Sequence, residues 1–233
     1  MEIKKGILDH KRDLTKDIYE IDIEVETPFQ FEAGQFVTFK VIDCEGKPLL
    51  RSYSIVSSPK NLPVLTFCIQ KVPQGKCSCL LYDLPLNSEI EFLGPFGQFL
   101  FQKDSAAKDL YFIVTNTGIA PCMAMFDMYL KSNPNKNFHL YFGLRHEKDI
   151  YYTDILDLYQ RNYPNFDYMI CFSHPEKNTE GFHGRVTQKV EEMAFTPSDE
   201  FYVCGNPNMV NDVQNILKEK KHISPDHIFI EKY

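Results

Sequence analysis

The first 103 residues contain short segments in which apolar and polar positions alternate. Each segment is four to nine residues long, is rich in Ile, Val, Phe and Tyr, and is bounded by Gly, Pro, Asn or Asp. The segments read IYEIDIEVE, GQFVTFKVI, RSYSIV, VLTFCIQKV and SEIEFLG. A period of two residues with turn signals between the segments predicts an antiparallel β-barrel or sandwich. The exception is KCSCLLYDL, which predicts one short helix after Gly75.

From residue 104 onwards, strand-like segments alternate with helix-like segments. The apolar, strand-like segments are DLYFIVT, NFHLYFGL, FDYMICFS, EFYVCG and HIFIEKY. The segments with helical spacing are APCMAMFDMYLKSNP, YTDILDLYQRNYP, RVTQKVEEM and NPNMVNDVQNILKEKK. Repeated βα units of this kind build a parallel, doubly wound sheet. The sequence therefore predicts two domains, a β-barrel over residues 1–103 and a Rossmann-like α/β domain over residues 104–233.

Charge and hydropathy narrow the choice of partners. The 233-residue chain has a net charge of −7, which argues against nucleic acid as its main partner. The segment MEIKKGILDHKRD lacks the apolar core of a signal peptide, and no apolar run approaches the roughly 20 residues of a membrane helix. We therefore expect a cytoplasmic protein that neither inserts into a membrane nor binds nucleic acid.

The seven cysteines favour free thiols over a disulfide framework, since their number is odd and the chain is long enough to build its own core. Cys77 and Cys79 are two residues apart, but no further Cys or His lies nearby at the spacing of a zinc or iron–sulfur site. We expect no metal centre. Whether Cys77 and Cys79 are redox active is left open.

Two predicted strand ends of the second domain are candidates for ligand binding, because open parallel sheets bind ligands beyond the carboxyl ends of their strands. In IVTNTGIAP, Thr117 and Gly118 lie between a buried strand and a helix, and the glycine would let a phosphate or sugar approach the backbone. In YVCGNPNMV, Cys204 ends a strand and Gly205 opens the next turn. An ordinary βα turn and a small core cysteine are the alternative explanations.

The motifs along the chain form a recognisable series: GQFVTF, RSYSIVSSP, GKCS, GPFGQF, TNTGIAP, FGLR, GRV, CGNPNMV and IEKY. In this order they resemble the ferredoxin–NADP reductase family of flavoproteins over nearly all of the chain. The resemblance implies a barrel that holds FAD, followed by a domain that binds NADPH or NADH. It also implies an enzyme that transfers a hydride from the pyridine nucleotide to the flavin.

The resemblance gives a role to each polar residue of RSYS, which by itself could be an ordinary half-exposed strand. Arg51 would pair with the flavin pyrophosphate, Tyr53 would lie against the isoalloxazine ring, and Ser54 would donate a hydrogen bond to flavin N5. The positive end of the short helix would point at the phosphates. The residues of that second segment are Gly75, Lys76, Cys77 and Ser78.

In the second domain the resemblance implies a pyridine-nucleotide site. Its residues would be Thr117, Gly118, Pro121, Arg145, Arg185, Cys204 and Gly205. Cys204 would lie near the hydride-donating carbon, and Tyr233 would cover the second flavin face until the nicotinamide replaces it. Glu231 matches an acidic residue of the family, so the implied catalytic residues are Ser54, Cys204, Glu231 and Tyr233. A terminal edge strand is the alternative explanation for IFIEKY.

Three departures from the family pattern bear on the coenzyme. Thr115 and Asn116 stand where two glycines are common, and His174 stands where an arginine is frequent. Asn tolerates unusual backbone angles, but a neutral histidine offers little to a 2′-phosphate. Because Arg145 and Arg185 match, the balance favours NADPH slightly, and NADH stays open.

Three functions are compatible with these motifs. The first is a stand-alone reductase that passes single electrons from FAD to a separate ferredoxin or flavodoxin. The second is a flavin reductase that uses flavin as a diffusing substrate, against which Tyr53 and Tyr233 count. The third is a non-catalytic electron-transfer subunit of a larger complex. The physiological acceptor, the direction of electron flow and the oligomeric state are left open.

Overall fold

The computed structural model describes residues 2–26, 28–43, 45–72, 75–177 and 179–233. The chain divides into two compact units. The first consists of Met1–Phe101 with Ala120–Met128, and the second of Gln102–Ile119 with Tyr129–Tyr233. Within the described residues, no helix has both the length and the apolar character that crossing a bilayer requires.

The first unit is built on an antiparallel sheet whose strands lie in the order β4-β3-β6-β1-β2-β5. The strands are β1 Lys4–Asp13, β2 Ile18–Val25, β3 Phe36–Ile42, β4 Pro48–Ser54, β5 Val64–Gln70 and β6 Glu89–Phe96. The predicted short helix is present as α1, Lys76–Asp83. The antiparallel architecture predicted for this part of the chain is confirmed.

The two outer strands of this sheet meet and close it into a barrel. Ile55, directly after β4, pairs with Phe67 of β5, and the Val56 N–H donates to the Thr66 carbonyl at 2.8 Å. Closure removes exposed strand edges and encloses one apolar core. At the centre of the core, the rings of Phe39 and Phe67 lie 4.8 Å apart in an edge-to-face contact.

The sequence patterns missed β1, although it lies in the middle of the sheet between β6 and β2. Only Gly6 and Leu8 of its ten residues are buried, so KKGILDHKRD carries almost no apolar alternation. Gly6 is required because a Cβ atom there would lie 2.5 Å from the Ile23 side chain. The strand is specified by its backbone pairing, which a hydropathy pattern does not record.

The second unit contains a six-stranded sheet in the order β10-β9-β8-β7-β11-β12, with every pair parallel. The strands are β7 Asp109–Thr115, β8 Asn137–Leu144, β9 Phe166–Phe172, β10 Phe182–His183, β11 Glu200–Gly205 and β12 Ile228–Lys232. The helices along this part of the chain are α2 Ala120–Tyr129, α3 Thr153–Asn162, α4 Val186–Glu192 and α5 Pro207–Asn215. This confirms the predicted Rossmann-like α/β sheet; the two-residue strand β10 was not predicted.

The order of these strands places a switch point between β7 and β11. The chain leaves β7 towards β8, β9 and β10, then returns to the other side of β7 to form β11 and β12. Ligands of open parallel sheets bind at such a reversal, beyond the carboxyl ends of the strands. The strand ends that flank it here are Thr115 and Gly205.

Near the opposite, amino ends of the strands, His139 lies between two carboxylates. Its Nδ1 is 2.7 Å from Asp167 Oδ2, its Nε2 is 3.2 Å from Asp109 Oδ1, and its ring stacks on Tyr111. Burial lowers the pKa of His139, but the hydrogen bonds to the two carboxylates outweigh burial and raise the pKa above its ordinary value. The ring therefore stabilises the sheet more when it is protonated than when it is neutral.

We expect His139→Gln to lower the free energy of unfolding by roughly 1 kcal/mol more at pH 5.5 than at pH 8.5. The contribution of a raised pKa is fully present below the pKa of the unfolded state and is lost as the pH rises through that of the folded state. Urea unfolding of the wild-type and variant proteins at both pH values measures the difference in the free energy of unfolding. His10→Gln, at an exposed position of β1, is the control. Equal losses at both pH values in His139→Gln would contradict the charged pairing.

Candidate functional site

The RSYS segment forms the end of β4, an outer strand of the barrel. Arg51 is exposed and donates from Nη1 to the Leu50 carbonyl at 2.7 Å, whereas Ser54 is buried opposite Phe36 of β3. The Tyr53 ring is half-buried and lies 5.5 Å from the Phe39 ring of the core. Arg51 and Tyr53 are two residues apart and therefore share a face of the strand, but the guanidinium is exposed to solvent while the Tyr53 ring contacts the core.

The second predicted segment forms the amino end of α1. Gly75 precedes the helix, and a Cβ atom there would lie 2.8 Å from Val72 Cβ. Ser78 is buried: its hydroxyl accepts a hydrogen bond from the Val72 N–H at 3.2 Å, and its carbonyl accepts one from the Tyr19 hydroxyl at 2.7 Å. The Ser78 hydroxyl therefore closes the turn before α1 in this structure, and its phosphate role stays a prediction.

Lys76 and Cys77, the first two residues of α1, differ in their surroundings. Lys76 is exposed, with Nζ 3.6 Å from Asp43 Oδ2. The pKa of Asp43 is held below its usual range, first by the Lys47 N–H and further by the Lys76 ammonium. Cys77 faces inward, 5% exposed, and belongs to the barrel core against which the Tyr53 ring packs. Burial raises the pKa of that thiol.

The structure brings two predicted segments together that are more than twenty residues apart in sequence. Helix α1 packs against β4, the strand that carries Arg51, and Cys77 and Tyr53 pack in the same barrel core. An exposed guanidinium, an exposed ammonium at Lys76 and the amino end of an eight-residue helix are groups that suit a pyrophosphate. A partly exposed aromatic ring suits a flat cofactor. The residues present therefore fit FAD.

At the switch point of the second unit, the carboxyl ends of β7 and β11 pack directly against each other. A Cβ atom on Gly118 would lie 2.4 Å from the Cys204 carbonyl oxygen. Gly205 has φ +137°, and a Cβ atom there would lie 2.4 Å from Thr115 Oγ1. The space beside Gly118 is therefore filled by β11. A glycine is needed here because the two strand ends pack closely, whereas the sequence had suggested that it makes room for a phosphate or sugar.

Thr115 and Asn116, which replace the two glycines common in the family, have specific roles in this turn. Asn116 has a left-handed φ of 48°, as its residue type allows. Thr115 Oγ1 accepts a hydrogen bond from the Asn206 N–H at 3.3 Å, which joins the two strand ends. The Asn206 side chain in turn caps α5 by accepting from the Asn208 N–H at 2.9 Å.

Beside the switch point is a cavity of about 320 Å³ that Arg145 and Arg185 both line. Arg145 follows β8 and Arg185 precedes α4, so the parallel sheet brings them to the same edge. Polar residues that were not assigned to the site from the sequence also line it: Thr115, Asn116, Ser173, Thr187, Asn206, Asn208 and Asp212. Most of them follow a strand or begin a helix, and the strand-end rule applied to β9 would have found Ser173.

Four further residues that the sequence analysis connected with the coenzyme do not line this cavity. Thr117, Gly118 and Pro121 are not part of its wall, and Gly118 and Pro121 are buried. His174 is exposed, with Nδ1 3.1 Å from Ser173 Oγ, and it does not line the cavity either. The ligand contacts of these residues stay predictions.

Cys204 and Tyr233, predicted to belong to one catalytic group, are in contact. The buried Cys204 thiol donates to the Tyr233 hydroxyl at 3.3 Å, and the Tyr233 N–H donates to the Gly205 carbonyl at 3.2 Å. Tyr233 itself is 47% exposed. Glu231 lies opposite Cys204 in the β11–β12 pairing. The Tyr233 ring thus covers the strand end where a nicotinamide was predicted.

Two family models match the chain. Residues 5–101 match the model described as an oxidoreductase FAD-binding domain, and residues 112–215 match the one described as an oxidoreductase NAD-binding domain. Ferredoxin–NADP reductase B of Sorangium cellulosum (strain So ce56) is 29% identical over 212 residues, which cover 88% of this chain and 86% of that protein.

Two further similarities concern a longer relative and the fold. Phenol hydroxylase P5 protein of Acinetobacter pittii (strain PHEA-2) is 26% identical over 220 residues, which cover 92% of this chain but only 61% of that protein. A ferredoxin–NADP+ reductase from Neisseria gonorrhoeae, solved with bound FAD and NADP, superposes with a TM-score of 0.87 at 20% identity. That match covers 100% of this chain and 99% of the solved one, and it shows a common fold.

We expect Gly118→Ala to lower the free energy of unfolding by about 2 kcal/mol or more, because its Cβ atom would collide with the backbone of β11. Urea unfolding measures the loss. Gly46→Ala is the matched control: Gly46 has φ +78° but nothing within 4 Å of its Cβ position, so backbone strain of about 1 kcal/mol is the whole cost. A smaller loss for Gly118→Ala than for the control would contradict the close packing of the two strand ends.

Proposed function

The chain belongs to the ferredoxin–NADP reductase family of flavin-dependent oxidoreductases, and we propose that it transfers a hydride from NADPH to bound FAD and passes single electrons to a separate ferredoxin or flavodoxin. Residues 1–103 form the FAD-binding domain and residues 104–233 the NAD(P)-binding domain in this proposal. The observation that carries it is the packing of α1 against β4, which brings Arg51 and Tyr53 close to the amino end of that helix.

FAD, when bound, accepts a hydride as an electron pair and releases electrons one at a time, a conversion that no side chain supplies. The protein would bind FAD and orient its ring for hydride transfer. Arg51 and Lys76, with the first N–H groups of α1, hold the pyrophosphate. Tyr53 covers one ring face and excludes water from it, and the buried Ser54 hydroxyl donates a hydrogen bond to N5.

On the coenzyme side, the cavity at Arg145 and Arg185 supports a 2′-phosphate, and therefore NADPH. Two guanidinium groups with the hydroxyls of Ser173 and Thr187 offer charge and hydrogen bonds to a phosphate dianion. The single carboxylate of Asp212 on the same wall reduces that attraction without cancelling two cations. Gly205 and the turn from Thr117 to Pro121 hold the rest of the dinucleotide.

Cys204, Glu231 and Tyr233 complete the proposed hydride-transfer site. The Tyr233 ring occupies the place of the nicotinamide beside Cys204 and moves aside when the coenzyme binds. A thiol hydrogen bond and a backbone hydrogen bond are among the contacts that hold it there, and nearly half of the residue is exposed, so a ligand can reach the ring from solvent.

The choice of acceptor rests on the relatives. The Sorangium protein, 29% identical, is named a ferredoxin–NADP reductase, and the Acinetobacter phenol hydroxylase protein is 26% identical. A free ferredoxin or flavodoxin, in the cytoplasm, is therefore the proposed partner.

The test of the proposal is anaerobic stopped-flow absorbance of the purified protein, mixed separately with NADPH and NADH. We expect bound FAD to bleach rapidly with NADPH and more slowly with NADH. FAD that stays bound through gel filtration distinguishes this reductase from one that uses flavin as a diffusing substrate. Bound FAD that neither coenzyme reduces would overturn the proposal in favour of a non-catalytic subunit.

We expect Arg145→Ala to raise KM for NADPH roughly 10- to 100-fold, the scale of one lost charge-assisted contact, while KM for NADH changes less than about twofold. Steady-state reduction of an artificial acceptor measures both constants. Arg161→Ala, on α3 and bonded to the Asp157 carbonyl at 3.1 Å, is the control. Equal effects of Arg145→Ala on the two coenzymes would show that the cavity does not read the 2′-phosphate.

A further inference from the structure

We propose that His146 is a positioning residue for the coenzyme: its imidazole joins the loop after β8 to the loop after β9 and so fixes where Arg145 and Ser173 bind the 2′-phosphate. This inference rests on the proposed function, because it concerns the same coenzyme cavity. Of the described residues, Arg145 and Ser173 line that cavity, whereas His146 does not. His146 therefore acts through these two residues and not through a contact with the coenzyme.

The first observation is that backbone hydrogen bonds between the two segments continue past the strands themselves. Strand β8 ends at Leu144 and β9 ends at Phe172. Beyond these ends, the Ser173 N–H donates to the Leu144 carbonyl at 3.0 Å, and the His174 N–H donates to the Arg145 carbonyl at 2.9 Å. The backbones of the two cavity residues are therefore held together where they leave the sheet.

The second observation is that two side chains of the first loop bind the backbone of the second. The Nδ1 atom of His146 lies 3.0 Å from the His174 carbonyl oxygen. Because a carbonyl only accepts, Nδ1 carries a proton and donates it to this bond. One residue further along, Glu147 Oε1 accepts from the Glu176 N–H at 2.6 Å. The loops are thus joined at two further points beyond the backbone pairing.

The backbone that carries the His146 ring is itself held in place. The His146 N–H donates to Asp149 Oδ2 at 3.0 Å, and the His146 carbonyl accepts from the Asp149 N–H at 3.1 Å. These bonds close the short helical turn Glu147–Asp149. A short, rigid imidazole on a fixed backbone allows the facing carbonyl of His174 only a narrow range of positions, at little cost in side-chain entropy.

Joined loops matter most for the 2′-phosphate. Arg145 is exposed and has a long side chain, so the position of its backbone limits where its guanidinium can lie. A charge-assisted bond from Arg145 and a hydroxyl bond from Ser173 must reach the same phosphate, which requires a defined distance between the two residues. Loops that are fixed before the ligand arrives also lose less conformational freedom on binding. A ribose that carries no 2′-phosphate does not depend on this spacing.

The experiment is isothermal titration calorimetry of the full chain with adenosine 2′,5′-bisphosphate and with 5′-AMP, which differ only in the 2′-phosphate. The variants are His146→Gln, whose amide nitrogen lies near the place of Nε2, and His146→Asn, whose amide nitrogen lies near the place of Nδ1 and keeps the donor. We expect His146→Gln to raise the Kd of the bisphosphate roughly 5- to 10-fold, the scale of one lost hydrogen bond, and that of 5′-AMP less than about twofold. His146→Asn is expected to stay within about twofold of the wild type for both ligands.

His227→Gln is the matched control, because it removes the same kind of bond at the opposite end of the sheet. The Nδ1 atom of His227 lies 3.2 Å from the Asp199 carbonyl oxygen, where β11 and β12 begin. This variant is expected to change both Kd values less than about twofold. Equal increases for the two ligands in His146→Gln, as a merely structural role would produce, would overturn the inference. So would a His146→Asn variant that binds as weakly as His146→Gln.

A second pair of variants tests the same inference at Glu147, and it decides the matter if His146→Gln does not fold. Glu147→Ala and Glu147→Gln lose the same charge, but only the glutamine keeps an oxygen that can accept from the Glu176 N–H. We expect Glu147→Ala to bind the bisphosphate roughly 3- to 10-fold more weakly than Glu147→Gln, with 5′-AMP affinities within about twofold of each other. Equal affinities of the two variants for the bisphosphate would overturn the inference.

These titrations separate the inference from the proposed function, since calorimetry with adenosine phosphates involves no flavin reduction. If the wild-type chain prefers the bisphosphate but NADPH does not reduce its flavin, the proposed hydride transfer fails, and the His146 and Glu147 variants still decide the inference. If the wild-type chain prefers the bisphosphate and reduces flavin, but the variants bind like the wild type, the inference alone fails. Equal wild-type affinities for the two ligands would overturn both the inference and the proposed choice of NADPH.

Discussion

The carboxyl ends of β7 and β11 approach so closely that neither Gly118 nor Gly205 has room for a Cβ atom. This close approach requires β7 and β11 to be neighbours. After β10 the chain therefore crosses back and adds β11 on the other side of β7, which reverses the order in which strands join the sheet. The reversal leaves a gap beyond the strand ends, and the cavity with Arg145 and Arg185 lies beside it. The turn, the cavity and the Tyr233–Cys204 contact all depend on that one packing constraint.

In the barrel, too, the candidate site lies where two elements pack against each other. The proposed flavin cradle is formed by the end of β4 and the start of α1, which pack against each other. Closure of the barrel at Ile55 and Phe67 holds the end of β4 in place directly after Ser54. An outer strand would otherwise fray, and a cofactor cradle on a frayed strand would lose its geometry.

Local patterns carried much of the fold. Apolar runs buried on both faces predicted β7, β8 and β11 nearly to the residue, because a parallel strand covered by helices must be apolar throughout. The same reasoning failed for β1, where only two of ten residues are buried and the pairing is made by the backbone. It also predicted one long helix after Asn206, whereas the regular helix ends at Asn215 and a wider turn, Ile216–Lys220, follows.

The sequence by itself determined the two-part architecture and the two strand ends at the switch point, because these follow from short-range periodicity and short motifs, and its RSYS motif predicted a flavin site. Only the tertiary structure decided where side chains point. Ser78 turned inward to close its own turn, Cys77 entered the barrel core, and Ser173 and Thr187 line the same cavity as the two arginines. These contacts join segments far apart in the chain, and side-chain direction at a helix end or strand end is set by what packs against it.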